Sequence, residues 1–150
     1  MERVDNFEDF TKSKTQLISA FPGTGKSHFF NNTTRNVLDS DSSTFDKKDF
    51  PNNYMDHIKG NLGNVDVILI SSHKDVREAL IENGLRFTLV YPKRELKDEY
   101  LERYKERGSP EGFINLLTEN WDTWMDEMDR QENCQKIVLE SGEYISDMVK

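Results

Sequence analysis

Residues 20–27 read Ala-Phe-Pro-Gly-Thr-Gly-Lys-Ser, and they lie between an apolar run, Gln16 to Phe21, and a segment with a helical pattern. A loop of this composition can turn its backbone N–H groups inward around phosphate oxygens. Gly23 and Gly25 permit this turn because they have no Cβ to obstruct the conformations that it requires. The stretch therefore predicts a strand, a phosphate-binding loop and a helix, in that order.

The end of the loop carries the side chains expected to do chemistry. Lys26 is expected to reach the β- and γ-phosphates of a nucleotide, and Ser27 to offer its hydroxyl oxygen to Mg²⁺. The loop departs from the usual pattern at its first position, where Ala20 replaces glycine. The alternative is an ordinary glycine-rich turn with a solvated lysine. The predicted ATP-binding residues are Pro22, Gly23, Thr24, Gly25, Lys26, Ser27 and His28.

Further apolar runs predict a sheet around this first strand. Two of them are nearly continuous in apolar character, as strands buried on both faces of a parallel sheet are. The predicted strands are Gln16 to Phe21, Asn36 to Asp39, Val65 to Ser71, Arg86 to Tyr91 and Lys136 to Leu139.

Helical periodicity fills the intervals between most of these runs. Lys74 to Glu82 and Glu95 to Arg107 are predicted helices, a longer one follows Pro110, and a short one follows Ser141-Gly142. The apolar stripe of the long helix is expected to belong to the core or to an interface. Alternating strands and helices predict one α/β domain over residues 1–150, with three layers and a mostly parallel sheet of about five strands with helices on both faces.

Composition limits the classes of partner. The chain has 150 residues and a formal net charge of −8, so we expect no binding to duplex nucleic acid or to an anionic membrane, because both need a positive field. An anionic ligand must then meet a local cluster of basic groups. The single cysteine, Cys134, cannot form an internal disulfide, which favours a reducing, cytoplasmic location for a soluble protein. The sequence leaves open whether the protein is a monomer or a homodimer.

Several segments together resemble one enzyme family. They are AFPGTGKS (20–27), VLDSDS (37–42), VILISSHKDVR (67–77), LVYPKRELKDEYLERYKERG (89–108) and IVLESGEY (137–144). In these segments the chain resembles the compact nucleoside monophosphate kinases of the adenylate-kinase-like P-loop group that bacteriophages encode. The resemblance implies a phosphotransferase with ATP and Mg²⁺ as cofactors, nucleotides as small-molecule partners, and the host cytoplasm as its location if a phage encodes it.

The resemblance also assigns roles to arginines. It places a lid helix at about residues 94–108, on which Arg103 and Arg107 would close over the donor nucleotide as catalytic groups. Because the two are four residues apart, they lie on one face of a helix. The alternative is that they pair with nearby glutamates at helical spacing. Arg77 and Ser72, which follow the third apolar run, are expected to bind the acceptor, and His73 is a weaker candidate for a phosphate contact.

Two aspartates follow the short second strand. Asp39 is expected in the outer sphere of the metal, because Ser71 and Ser72 stand where an acidic residue usually ends a later apolar strand. Asp41 is expected to face the acceptor as a catalytic residue. Carboxyl ends of strands are where ligands gather in open α/β sheets. The alternative for both carboxylates is a solvated turn.

The acceptor stays open at this point. The Asp-Ser-Asp arrangement also resembles shikimate and gluconate kinases, in which Asp41 would be the base for a hydroxyl acceptor, either a small metabolite or a polynucleotide 5′ end. A further alternative is a nucleotide-binding regulator without turnover, with the helix of Trp121 and Trp124 as its contact with another protein. Phe45, Phe50 and Tyr54 would either stack on a base or pack locally.

Overall fold

The computed structural model describes residues 15–40 and 45–148. Five strands form one all-parallel sheet in the order β2-β3-β1-β4-β5. The strands are β1 (Gln16–Ala20), β2 (Val37–Asp39), β3 (Val67–Ser71), β4 (Thr88–Pro92) and β5 (Gln135–Leu139). The predicted α/β class and the five predicted strands are confirmed, with ends that differ by one or two residues.

Six α-helices and a short 3₁₀ turn connect the strands in the described residues. The helices are α1 (Lys26–Asn32), α2 (Asn52–Asn61), α3 (Lys74–Glu82), α4 (Lys97–Glu106), α5 (Glu111–Arg130) and α6 (Ile145–Met148), and the 3₁₀ turn is Arg94–Leu96. Sequence patterning predicted five of these helices and missed α2. No helix in the described part of the chain combines the length and the apolar character that crossing a membrane requires.

Alternate residues of the central strands face two separate apolar cores. On one face, Leu17 and Ile68 pack with side chains from α2 to α5. On the other face, Ile18 and Leu69 pack with Phe29 of α1 and Ile145 of α6. Helices therefore cover both faces of the sheet, which explains why β1 and β3 are apolar along nearly their whole length.

The long helix α5 contributes its apolar stripe mainly to the larger core. Trp121 is 0% exposed, its indole N–H donates to the carbonyl oxygen of Arg94 at 2.9 Å, and its ring meets Phe21 at 5.6 Å between centroids. Trp124, three residues later, is only partly buried. The expectation of a core stripe is confirmed, and a partner protein has no exposed face of Trp121 to contact.

Aromatic residues after β2 pack on one another. Tyr54 lies 4.9 Å from Phe45 and 5.6 Å from Phe50 between ring centroids, and it is fully buried. Its hydroxyl donates to the carbonyl oxygen of Ser40 at 2.7 Å. Of the two alternatives, the structure shows local packing for these rings. Tyr54 has no exposed ring surface on which a base could stack.

Candidate functional site

The candidate site is a cavity of about 470 Å³ at the carboxyl edge of the sheet. It lies at the ends of the adjacent strands β1 and β3, from which the chain runs in opposite directions across the sheet, to β2 and to β4. Such switch points are where open α/β sheets bind ligands. One part of its lining is polar, and the other part is an apolar surface of α5. The predicted site residues that line it are Lys26, Ser27, Asp39, Ser72, Arg77 and Pro22.

The loop after β1 has a conformation that requires glycine at two positions. Gly23 and Gly25 have φ values of 89° and 95°, in the left-handed region that side chains with a Cβ rarely adopt. A Cβ on Gly23 would lie 2.9 Å from Tyr104, and one on Gly25 would lie 3.0 Å from Tyr144. The loop is therefore packed closely against these two rings on its outer side.

Hydrogen bonds hold the carbonyl groups of the loop from outside. The Tyr104 hydroxyl donates to the carbonyl oxygen of Pro22 at 2.7 Å, and the buried Thr24 hydroxyl donates to that of Phe21 at 2.7 Å. Within residues 15–40 and 45–148, the backbone N–H groups of Gly23 and Gly25 have no hydrogen-bond partner. A loop with anchored carbonyls and unpaired N–H groups has the chemistry needed to bind phosphate oxygens.

Lys26 and Ser27 open α1 and line the cavity, as predicted. Asp39 reaches the same cavity from the carboxyl end of β2, where it is exposed. His28 lies one residue beyond Ser27 on the exposed surface of α1, with its Nδ1 atom 3.3 Å from the side-chain amide of Asn32. Of the loop residues and their neighbour, Lys26 and Ser27 are thus the two whose polar side chains face the cavity.

Hydroxyl and carboxylate oxygens are the ligands that Mg²⁺ prefers, and Mg²⁺ commonly takes one or two protein ligands together with substrate phosphates. Ser27 and Asp39 supply that donor set in one cavity. Residues 15–40 and 45–148 contain no cluster of three or more His, Cys, Asp or Glu side chains that would form a protein-only metal site. The residues present fit a metal held between the protein and phosphates. Asp41 lies outside the described residues.

Arg77 is 3% exposed and forms part of the cavity wall. Its Nε donates to the carbonyl oxygen of Ser72 at 2.9 Å, its Nη1 donates to Oε1 of Gln131, and its Nη2 lies 4.0 Å from Oε1 of Glu127. Burial lowers the pKa of Arg77, and the charge of Glu127 opposes that change. The guanidinium thus braces the turn after β3 against α5, and the acceptor-binding role stays a prediction.

Two further residues at this turn line the cavity. His73 and Lys74 follow directly after Ser72, and both are exposed. The sequence analysis does not identify Lys74 as a site residue. Its place just after a strand that ends in serines is a signal that could have indicated this role. Lys74 makes no hydrogen bond or ion pair within the described segments, so its ammonium group is available to an anion.

Arg103 lies against the loop after β1. Its Nη1 donates to the carbonyl oxygen of Gly23 at 2.8 Å, and its Nη2 donates to Glu99 at 2.9 Å. The guanidinium lies 4.3 Å from the ring centroids of both Tyr100 and Tyr144, and the side chain is 14% exposed. For Arg103 the structure therefore shows the alternative, pairing with a glutamate at helical spacing, as a part-buried pair that supports the loop.

Arg107 follows the last residue of α4 and lies 5.0 Å above the ring centroid of Tyr104. Its Nε donates to the Ser109 hydroxyl at 3.1 Å. Arg103 and Arg107 are both absent from the described lining of the cavity. The structure places Arg103 against the loop and Arg107 beside the rings of Tyr104 and Phe113. Their closing over a nucleotide stays a prediction.

Glu99 is a residue that the sequence suggested only as a partner of Arg103. Its carboxylate accepts hydrogen bonds from the Ser141 hydroxyl at 2.5 Å and from the Gly142 N–H at 3.0 Å, as well as from Arg103. These bonds, the Ser141 hydroxyl first, hold the pKa of Glu99 below its usual value. Glu99 therefore joins α4 to the loop after β5, which carries Tyr144.

Comparison with known proteins adds no family to these observations. No family model matches the chain, and no curated protein matches it significantly. The kinase resemblance therefore rests on the motif and on the chemistry of the cavity.

Proposed function

We propose that this protein transfers a phosphoryl group from ATP, with Mg²⁺, to a nucleoside or deoxynucleoside monophosphate. The observation that carries the proposal is the meeting of Lys26, Ser27 and Asp39 in one cavity, beside a loop with unpaired N–H groups. A polyphosphate needs this set of donors, and metal binding explains the carboxylate among them. The expected compartment is the cytoplasm, that of a host if a phage encodes the chain.

Each residue has a distinct part in this proposal. The loop N–H groups and the Lys26 ammonium bind the donor phosphates and neutralise charge that grows on them during transfer. Ser27 and Asp39 would hold Mg²⁺, which supplies further neutralisation of phosphate charge. Lys74 and the turn that Arg77 braces present positive charge and N–H groups to the acceptor. Arg103 supports the loop by holding the carbonyl of Gly23.

The direct test is transfer from labelled ATP with Mg²⁺ to each common ribo- and deoxyribonucleoside monophosphate, 5-substituted uracils included. We expect labelled diphosphates with at least one acceptor. Lys26→Ala should reduce turnover roughly 100-fold or more, the usual cost of removing a donor to transition-state charge. The fold should persist, because Lys26 is the first residue of α1 and is only partly buried.

Lys105→Ala is the matched control, since Lys105 is an exposed lysine of α4 that does not line the cavity. It should retain full turnover. ATP binding without transfer to any acceptor, or full turnover in Lys26→Ala, would refute the proposed kinase activity.

A further inference from the structure

The cavity has an apolar wall that phosphate chemistry does not explain. Phe113, Leu116 and Trp124 of α5 line it opposite the polar residues of the loop and of α3. Leu116 is 48% exposed, so much of its side chain is accessible to a ligand in the cavity. Cavities that bind organic ligands combine such apolar walls with a few polar groups. A phosphate alone gains nothing from this surface.

Trp124 packs against the larger core but is only partly buried. Its ring pairs with no other aromatic ring, and its indole N–H makes no hydrogen bond, among residues 15–40 and 45–148. Trp121 on the same helix differs in both respects, because its ring packs against Phe21 and its N–H binds a carbonyl oxygen. Trp124 thus presents a partly buried aromatic surface to the cavity.

The aromatic residues of the segment after β2 already pack against one another. Tyr54 is fully buried, and Phe45 and Phe50 pack against it. None of the three lines the cavity within the described residues. A planar ring of an acceptor bound near the turn after β3 would therefore contact α5 and not the segment after β2.

We infer that α5 forms the acceptor's base site, in which a nucleobase lies against Trp124 and Leu116 while its phosphate is directed toward Lys74 and the loop. This inference rests on the proposed function and specifies where the base of the acceptor substrate binds. Stacking on an aromatic ring tolerates every base, because each base has a π-face. The base site therefore requires a ring without selecting strongly among the common bases.

The test compares kinetic constants for acceptor and donor. Trp124→Ala should raise the KM for the best nucleoside monophosphate about 10-fold or more, as loss of a base-stacking ring does, while the KM for ATP changes less than about 2-fold. Leu116→Ala, at a more exposed position, should raise the acceptor KM in the same direction. Trp124→Phe should retain most of the affinity, because it keeps an aromatic face.

Two controls isolate the base. Val138→Ala removes an exposed apolar side chain of β5 outside the cavity and should leave both constants unchanged. Ribose 5-phosphate, which lacks a base, should compete with the acceptor equally weakly in the parent protein and in Trp124→Ala. Weaker competition by ribose 5-phosphate in Trp124→Ala than in the parent protein would contradict a base contact. An unchanged acceptor KM in both Trp124→Ala and Leu116→Ala would contradict it as well.

Fluorescence separates this inference from the kinase proposal. Titration with nucleoside monophosphates should quench tryptophan emission in the parent protein and not in Trp124→Phe. Quenching of this kind without any phosphate transfer would support the base site and refute the kinase activity. Phosphate transfer with equal quenching in the parent protein and Trp124→Phe would refute the base site and leave the kinase activity standing.

Discussion

At the scale of single residues, the loop after β1 depends on side chains that contact its carbonyl groups. Glu99 accepts hydrogen bonds from Ser141, Gly142 and Arg103, and Arg103 in turn donates to the carbonyl of Gly23. Charge-assisted bonds of this kind are stronger than those between neutral groups. Two side chains therefore connect the loop after β5 with the loop after β1.

Glu99→Gln is expected to weaken this connection while keeping the shape of the side chain. The loss should be about 1 kcal/mol in the free energy of unfolding at neutral pH, since the bonds are charge-assisted but the side chain is partly exposed. Because the folded state lowers the pKa of Glu99, its contribution is present above the unfolded pKa and disappears as pH falls through the folded pKa. Urea unfolding between about pH 3 and pH 7 measures both effects.

The matched control is Glu102→Gln, at an exposed position on the same helix. Its stability should follow that of the parent protein across the same pH range. If Glu99→Gln instead remained less stable than the parent protein by an equal amount down to the acid limit, the carboxylate charge would not be what holds the two loops together.

Arg77 shows what sequence reasoning achieves at this scale. Its place after the third apolar run correctly put it at the cavity. Its partners are Glu127 on α5 and Gln131 directly after α5, both more than 45 residues along the chain. Nothing local in the sequence indicates that they would bind the guanidinium. A single sequence locates a charged group near a site more readily than it identifies the atoms that already bind it.

At the scale of elements, the carboxyl ends of β2 and β3 are joined by one side chain of α2. The Tyr54 hydroxyl donates to the carbonyl oxygen of Ser40 at 2.7 Å and accepts from the N–H of Ser71 at 3.4 Å. Asp39 and Ser72 are the neighbours of these two backbone groups and line the cavity. Helix α2, although it lies outside the cavity lining, thus fixes the spacing of two cavity walls.

Tyr54→Phe should destabilise the fold by about 1–3 kcal/mol, because it leaves a buried carbonyl group without its partner. Chemical denaturation measures the change. Tyr144→Phe is the control, since the hydroxyl of Tyr144 makes no hydrogen bond within the described residues and the side chain is 37% exposed. Its effect should stay within about 0.5 kcal/mol, as for most surface substitutions. Equal losses in the two variants would contradict the bridging role of Tyr54.

The sequence did not reveal α2, and the reason is physical. Its buried residues are Tyr54, Met55 and Ile58, and polar residues and Gly60 fill the rest of its ten positions. Such a short apolar set does not distinguish a helix from a loop, and the contacts that stabilise it come from distant elements. By contrast, α5 has apolar residues at three- and four-residue steps over about four turns. That period, together with Pro110 at its start, predicted the helix.

At the scale of the whole molecule, a chain with a net charge of −8 places three basic side chains at one edge of its sheet. Lys26, Lys74 and Arg77 line the cavity together with Asp39 and Glu127. Composition predicts that an anionic ligand needs a local basic cluster, and these three side chains are the candidates for it in the cavity. The parallel sheet was also predictable, because strands separated by helices in sequence return to the sheet in the same direction.

Ligand binding at this edge should stabilise the entire domain, since the cavity is built from the loop after β1, the ends of β2 and β3, and the helices α3 and α5. A ligand that binds only the folded state at 100 times its Kd adds about 2.7 kcal/mol to the free energy of unfolding. For a chain of this length we expect ATP with Mg²⁺ to raise the Tm by about 5 to 10 °C. Differential scanning calorimetry measures this shift.

Removal of the metal provides the internal comparison. With EDTA in place of Mg²⁺, the same concentration of ATP should produce a smaller rise in Tm, because Ser27 and Asp39 then face uncompensated phosphate charge across the cavity. Lys26→Ala should lose most of the rise under both conditions, whereas Lys105→Ala should keep it. A rise that is equal in all three proteins and insensitive to EDTA would mean that ATP binds elsewhere on the molecule, and the cavity would lose its assignment as the nucleotide site.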